Sequence, residues 1–340
     1  MSAIGAPAIS VCIANFNGIG VIEACIASVK SQTGKLSVEI IVHDDASSDG
    51  SVEYIRNHHP DVQLIESTRN VGFCVSNNRM ASRARGHYLL LLNNDATLLP
   101  DALTSLFQAA QNVGVPAILG LPQYDAETKK LLDAGSLLDP FLNPIPNLDL
   151  DRGRVGMVMG ACLWIPRNLW HELGGFPEWF GSIGEDLYLC CRARLAGYPV
   201  IALSASGFLH QVGHSFGGGK IHRRRLSTNK RRRALSERNK TFVMLITTPL
   251  PLLLCLFPAH LASLLLEGIA VSLAKLDRTI FTAIYTPVIS ALWRHRHRLG
   301  RLRRLAQGNR RISVGEWLHV FRPVPYKLTM LLRHGMPELQ

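Results

Sequence analysis

The chain reads as an α/β protein built on a Rossmann-like, mainly parallel sheet, followed by a basic helical extension. Three observations predict this. Short apolar runs alternate with amphipathic stretches through the first part of the 340 residues, the pattern of βαβ units whose sheet is covered on both faces. The apolar runs end abruptly in Asn, Asp and Ser. The charge is also split: residues 1–219 carry 14 Lys/Arg against 20 Asp/Glu, a net of −6, whereas 220–340 carry 23 against 5, a net of +18. Residues 1–219 and 220–340 are therefore expected to be separate domains with different partners.

In chain order, the expected strands are Ile9–Ala14, Val38–His43, Val62–Ile65, Tyr88–Leu92 and Ala117–Leu121, each a short apolar run. The stretches "VIEACIASVKSQ" and "PDALTSLFQAAQ" between them repeat apolar residues at helical spacing. Seven cysteines, odd in number and without a CxxC pair, favour reduced thiols in a cytosolic setting over a disulfide frame or zinc site. The N-terminus lacks the basic start and long apolar stretch of a signal peptide, so no export of this end is expected.

Ligands of such sheets bind beyond the carboxyl ends of the strands, where the strand order reverses. Three strand ends carry polar groups: Asn15-Phe16-Asn17-Gly18, then "DDASSDGS" from Asp44 to Ser51, then Asn93-Asn94-Asp95. A turn with a helix cap is the plain account of the second. One cap needs only one side chain, however, and the adjacent Asp44 and Asp45 call for compensation by a base, ribose hydroxyls or a cation. Asp95 is left over once Thr97 or Asp101 caps the next helix. A carboxylate flanked by two amides suits a hard divalent cation that also holds phosphates.

Downstream, Gly184–Tyr198 has apolar residues at 187, 191, 195 and 198, a helical period that places Glu185 and Asp186 in the first turn. Their i+3 and i+4 neighbours are Tyr188, Leu189 and Cys190, so helical salt bridges do not account for them; an interaction with the helix dipole stays open as the plain alternative to a functional role. His210 ends the apolar run "VIALSASGFLH", either as a structural residue or as a metal ligand. Beyond the weaker candidate His214, "FGGGK" reads as a flap able to close over a ligand.

In the basic region, Lys220–Lys240 holds ten Lys/Arg against Glu237 alone, and Arg294–Arg311 holds eight Arg and no acid. Between them Thr241–Leu266 is 26 residues without a charge, long enough to cross a bilayer as a helix. Pro249, Pro251 and Pro258 interrupt it, which favours broken helices lying in or dipping into the interface. Basic clusters around an apolar segment suit an anionic cytoplasmic leaflet, and nucleic acid is the less favoured partner.

Taken in order, "ISVCIANFNG", "EIIVHDDASSDGS", "RNVGFCVSNN", "GHYLLLLNNDATLLPDAL", "GACLWIPRNLWHELGGFPEWFGSIGEDLYLCCRARLAGY" and "FLHQVGHS" resemble an inverting family 2 glycosyltransferase of GT-A fold. The likeness runs from Ile9 to Ser215 and is greatest to rhamnosyltransferase-like members that build bacterial surface polysaccharides. It implies a catalytic GT-A domain over 1–219, while the basic clusters and apolar segment make 220–340 the membrane-associating region. Asp186 is then the general base and Glu185 its neighbour. Asn15, Asn17, Asp44, Asp45, Asn70, Gly72, Asn93 and Asn94 bind the nucleotide-diphosphate sugar, with Asp44 and Asp45 at the base and ribose. Asp95 stands at the last acid of the D-x-D metal motif and His210 joins it on Mg²⁺ or Mn²⁺. Asn93 replaces the first acid, as in other members with Asn-Asn-Asp or Asn-Pro-Asp. The acceptor would be lipid-linked or a polysaccharide, and the enzyme would work on the cytoplasmic face of the cell membrane.

The base would face the anomeric carbon opposite the leaving group. With an ordinary carboxyl pKa near 4, it would take the alcohol proton only as the nucleophile develops. Two rival readings stay open at this stage: a non-catalytic membrane- or nucleic-acid-binding protein on the same fold, and a nucleotidyltransferase. "ANFNG" stands where the latter would carry a Gly-rich basic phosphate loop.

Overall fold

A computed structural model describes residues 6–211, 220–222, 225–335 and 338–339. His214 and all of "FGGGK" but its final lysine lie outside the described residues. By compactness the chain divides into two units: the first contains residues up to 136, 146–193 and 198–215, the second 137–145, 194–197 and the chain from 216 onward.

The first unit opens with β1 (Ile9–Asn15), α1 (Ile22–Lys30), β2 (Val38–Asp44), α2 (Ser51–His58), β3 (Gln63–Glu66), α3 (Phe73–Arg83) and β4 (Tyr88–Asn93). It continues through β5 (Ala96–Leu98), α4 (Ala102–Val113), β6 (Ile118–Gly120), β7 (Gln123–Asp125) and β8 (Leu131–Asp133). After a short hairpin, β9 (Leu137–Leu138) and β10 (Pro144–Ile145), which belongs to the second unit, come β11 (Cys162–Pro166), α5 (Arg167–Leu173), α6 (Glu185–Leu195), β12 (Val200–Ala202) and β13 (Phe208–His210).

The five expected strands all form. Parallel strands covered on both faces need apolar residues in both directions, and β1 is buried along nearly its whole length. One face packs Val11 and Ile13 against Ile22, Cys25, Ile26 and Val29 of α1 and Leu103 and Leu106 of α4. Those α1 residues follow the i, i+3, i+4, i+7 pattern of a helix with one buried stripe. The opposite face takes α3, which packs on β1 and β2.

The seven-stranded order is β12-β6-β11-β4-β1-β2-β3. β11 runs antiparallel between β4 and β6 while the other neighbours are parallel, which makes the sheet mainly parallel. Chain order reverses at β1, whose neighbours are β2 and β4, so a crevice opens at the carboxyl ends of β1 and β4. A second sheet, β5-β13-β7-β8, continues from the end of β4.

The second unit is mainly helical, with the β9–β10 hairpin and a small sheet of Lys220–His222, Arg225–Thr228 and Glu338–Leu339. α7 (Lys230–Thr247) is capped by Asn229, whose side chain accepts from the Arg232 N–H. It is followed by α8 (Leu250–Ala274), the short turn α9 (Arg278–Ile280), a π-helical turn at Phe281–Tyr285, α10 (Thr286–Arg294), α11 (Arg296–Gly308), α12 (Val314–Leu318) and α13 (Tyr326–His334). Thr241 Oγ1 lies 2.8 Å from His260 Nε2, and Arg233 pairs with Glu267, so α8 folds back along α7.

The expected series of broken helices is corrected here. The chain breaks once, at Thr248-Pro249, because Pro251 sits in the first turn of α8, where no intrahelical N–H is needed. Pro258 gives up a single bond inside a helix held by its packing on α7.

Glu237 of α7 is buried among cations: Lys240 Nζ at 2.8 Å, Lys327 Nζ at 2.6 Å and Arg233 Nε at 3.6 Å. Burial alone would raise its carboxyl; the charges of Lys240, Lys327 and Arg233 outweigh that and hold it well below the usual range. Burial pushes Lys240 the other way, from 10.5 to about 8, against the pull of Glu237. The depressed Glu237 contributes stability above its unfolded pKa and loses it as pH falls through the folded value. Between pH 8 and 10.5 the unfolded chain keeps a proton on Lys240 that the folded chain has released, so stability rises with pH across that window. Glu237→Ala, which leaves the buried Lys240 without its carboxylate and removes one of the two carboxylates shared by Arg233 and Lys327, is expected to cost about 3–5 kcal/mol. Lys240→Met is expected to be tolerated and to flatten the alkaline rise. Thermal melting of the full chain from pH 6 to 10 checks both.

Candidate active site

The carboxyl ends of β1, β2 and β4 lie side by side in register: Asn15 is paired with Asp44, and Ala14 with Asn93. From that edge a chain of side-chain hydrogen bonds runs across the sheet. Asn94 Nδ2 donates to Asn15 Oδ1 at 2.8 Å, and Asn15 Nδ2 donates to Asp44 Oδ2 at 2.8 Å. A Cβ on Gly18 would overlap both amides, so the Asn-Phe-Asn-Gly loop needs glycine at this close approach.

The compensation that Asp44 and Asp45 call for comes, in this structure, from the protein. Asp44 accepts from the Ser47 N–H at 2.8 Å and the Ser47 hydroxyl at 2.7 Å, an Asx-type turn. Asp45 accepts from the Val71 and Gly72 N–H groups at 2.6 and 2.8 Å, pinning the loop that leads into α3. Ser47 also accepts from the Asn17 N–H at 2.8 Å, and Asn17 Oδ1 from the Ser48 N–H at 2.9 Å. Asn70 is exposed on the same β3–α3 loop.

Asp95 and His210 are brought together by the second sheet. β13 pairs with β5, placing His210 opposite Ala96, and His210 Nε2 lies 3.1 Å from Asp95 Oδ1 with both residues buried. Gln123 Nε2 lies 3.0 Å from His210 Nδ1. An amide nitrogen only donates, so this contact keeps Nδ1 as acceptor and the imidazole proton on Nε2, facing Asp95. Asn93, at the end of β4, donates its N–H to Ala161 O at 3.0 Å and accepts from the Cys25 thiol at 3.3 Å. Burial first, and then the Asp95 charge, push that thiol far above its ordinary value, so Cys25 stays protonated.

Asp186 reaches the same edge through β11. One residue before Ala161, the Gly160 N–H donates to Asp186 Oδ2 at 3.0 Å, and the Leu187 N–H donates to Oδ1 at 2.7 Å. Both carboxylate oxygens are thereby aimed, while the side chain remains partly exposed and Glu185 beside it is buried. α6 is entered through Ile183, a β-branched residue at φ 68°, and Gly184 at φ 87°. A non-glycine residue in the left-handed region is costly. Three of the seven such residues among those described, Asn17, Ala46 and Ile183, lie in the loops of this edge.

The expected site residues thus form three linked groups: Asn15–Asp44–Asn94, Asp45 with the Val71–Gly72 loop, and Asp95–His210, with Asp186 tied in by Gly160. Sequence reasoning missed Ser47, Gly160 and Gln123. Ser47 and Gly160 act here through a short turn and a backbone N–H, and Gln123 lies on a three-residue strand with no periodicity to read.

Residues 10–172 match the family profile described as glycosyl transferase family 2. Among curated proteins, the chain is 25% identical over 226 residues to N-acetylglucosaminyl-diphospho-decaprenol L-rhamnosyltransferase of Mycobacterium tuberculosis, covering 58% of this chain and 73% of that one. Among solved structures it superposes on residues 1–349 of Staphylococcus aureus TarS with a TM-score of 0.54 at 15% identity, covering 88% of each chain, and spans 39% of the longer TarS chain. A mannosyltransferase from Pyrobaculum calidifontis, in complex with GDP-Man and Mn²⁺, superposes with a TM-score of 0.50 at 20% identity, covering 85% of this chain and 87% of that one. At such identities the superpositions establish the fold, a GT-A-like arrangement. The profile match, the rhamnosyltransferase relative and the superpositions together support a family 2 glycosyltransferase.

Proposed function

We propose that the protein transfers a sugar, with inversion, from a nucleotide-diphosphate donor to a hydroxyl of a lipid-linked or polysaccharide acceptor at the cytoplasmic face of the membrane. Rhamnose is the sugar this reading favours. Residues 1–219 form the catalytic domain and 220–340 the membrane-associating region. The observation that carries the reading is the juxtaposition at one sheet edge of a buried Asp95–His210 pair and an Asp186 carboxylate aimed by two backbone N–H groups.

The donor set fits a divalent cation. Asp95 offers a carboxylate oxygen and His210 an imidazole nitrogen, and among the described residues no group of three or more His, Cys, Asp or Glu stands ready to complete a cage. Two protein ligands leave positions for diphosphate oxygens and water, and the nitrogen donor favours Mn²⁺ over Mg²⁺. The Gln123 amide would turn its oxygen to His210 Nδ1 and free Nε2 for the ion. Such an ion would neutralise charge on the departing diphosphate.

The remaining work falls to the chain's own groups. Asn15, Asn94 and the loops held by Asp44 and Asp45 orient the nucleoside, and Asp186 receives the proton of the acceptor hydroxyl as it attacks the anomeric carbon. The name of the Mycobacterium relative, with its diphospho-decaprenol acceptor, supports a lipid-linked acceptor here. The test is incubation of the purified protein with a panel of nucleotide sugars, Mn²⁺ and a polyprenyl-diphosphate-sugar acceptor. One donor is expected to yield nucleoside diphosphate and glycosylated lipid together; no product from any donor contradicts the reading.

A further inference from the structure

The exposed surface of the helical unit carries a second message. The inward stripe of α8 is Leu253, His260, Leu264, Gly268 and Val271, spaced by seven, four, four and three residues. Everything this stripe leaves outside is apolar or small, with Leu250 56% exposed and Leu254, Leu266 and Leu273 each 68%. The single acid, Glu267, is occupied by Lys327 at 2.6 Å and by Arg233. A surface helix in water turns charges outward; α8 turns its one charge inward and its leucines outward.

Length alone would let α8 cross a bilayer. Its neighbours in the unit argue otherwise. Arg303, after α8, donates to Leu245 O and Thr248 O at 2.7 and 2.8 Å, at the turn that precedes α8, and α10 and α11 pack on α7. The chain on both sides of α8 therefore meets at one place. Glu267 on the flank of α8 facing α7 pairs with Arg233 and Lys327, which also hold the buried Glu237 beside Lys240, and this charged cluster could not enter hydrocarbon without a large desolvation cost.

The charge of the surroundings identifies the partner. Arg294, Arg296, Arg298, Arg301 and Arg304 are exposed on α10 and α11, and the Arg296 guanidinium lies 4.4 Å over the ring of the exposed Trp293. A solvent-facing tryptophan among arginines has the chemistry of a lipid head-group boundary. α13, held beside α8 by Lys327 and Glu267, adds the exposed Leu328, Leu331 and Leu332.

We infer that α8 lies flat in the head-group region of an anionic bilayer, its leucines immersed and the α10–α11 arginines on the lipid phosphates, and that it does not span. The inference deepens the membrane location proposed above and does not depend on which sugar is transferred, because its test reads binding and depth. Full-length protein is mixed with phosphatidylcholine vesicles with and without phosphatidylglycerol and floated on a gradient. Binding is expected to be about tenfold or more tighter with the anionic lipid, and to persist in high salt.

Leu266→Glu/Leu273→Glu, on the exposed face, is expected to lower binding about tenfold in high salt, and Arg298→Glu/Arg301→Glu to lower it in low salt only; circular dichroism verifies that both variants fold. Spin labels on single cysteines replacing Leu254, Leu266 and Leu273, in a Cys255→Ser background, are expected to report one common shallow depth of about 5–10 Å. A depth that reaches the bilayer centre at 266 and returns to the head groups at 254 and 273 would show a span and overturn the inference. Equal binding to neutral vesicles, or a stable dimer that buries the leucines and ignores vesicles, would overturn it as well. Binding by a protein that transfers no sugar leaves it standing.

Discussion

Asp186→Asn is expected to lower turnover by about 10³-fold, within the range of general-base catalysis, while donor affinity changes by no more than about twofold. The substitution keeps size and shape and removes the proton acceptor. It also replaces one of two accepting oxygens by an amide nitrogen, so either the Gly160 or the Leu187 N–H loses its partner. Donor affinity, measured by titration with the nucleoside diphosphate, separates loss of the base from local collapse of the α6 entry. Transfer within tenfold of wild type would remove Asp186 from the base role.

Asp95→Ala is expected to weaken nucleoside-diphosphate binding in Mn²⁺ by about 10–100-fold, and by much less in a chelator. His210→Ala should behave in the same direction, because its imidazole lies on Asp95. Equal losses with and without the ion would show that the Asp95 carboxylate serves the fold, through its contact with His210.

β1, β2, β4 and α1 were legible because parallel strands buried on both faces leave continuous apolar runs, and a helix with one buried stripe leaves a 3.6-residue repeat. β11 and β12 were not. Cys162–Pro166 and Val200–Ala202 are too short for a period, and the antiparallel insertion of β11 between β4 and β6 depends on contacts far apart in sequence. The second sheet is made of three-residue strands, so the likeness to a known family, and not the pattern, singled out His210, and Gln123 went unnoticed.

At the carboxyl edge of the sheet, sequence chemistry pointed to a base, ribose or cation as compensation for Asp44 and Asp45; the partners present are Ser47 and the backbone N–H groups of Val71 and Gly72, and the latter leave no side-chain signature. For Asp44 the plain turn reading describes the observed geometry, with Ser47 three residues on. The prolines misled in α8 because their cost depends on position: two of the three lie where the helix has no bond to lose or has not begun.

The central claim is that the Asp95–His210 pair and a donor diphosphate share one ion. Titration of Mn²⁺ into the protein, followed by electron paramagnetic resonance with and without nucleoside diphosphate, tests it directly. The account predicts binding about tenfold or more tighter with the nucleotide present, since two protein ligands leave the coordination shell incomplete, and loss of that enhancement in Asp95→Ala. Mn²⁺ affinity that is the same with and without nucleotide, or an enhancement that survives Asp95→Ala, would contradict it.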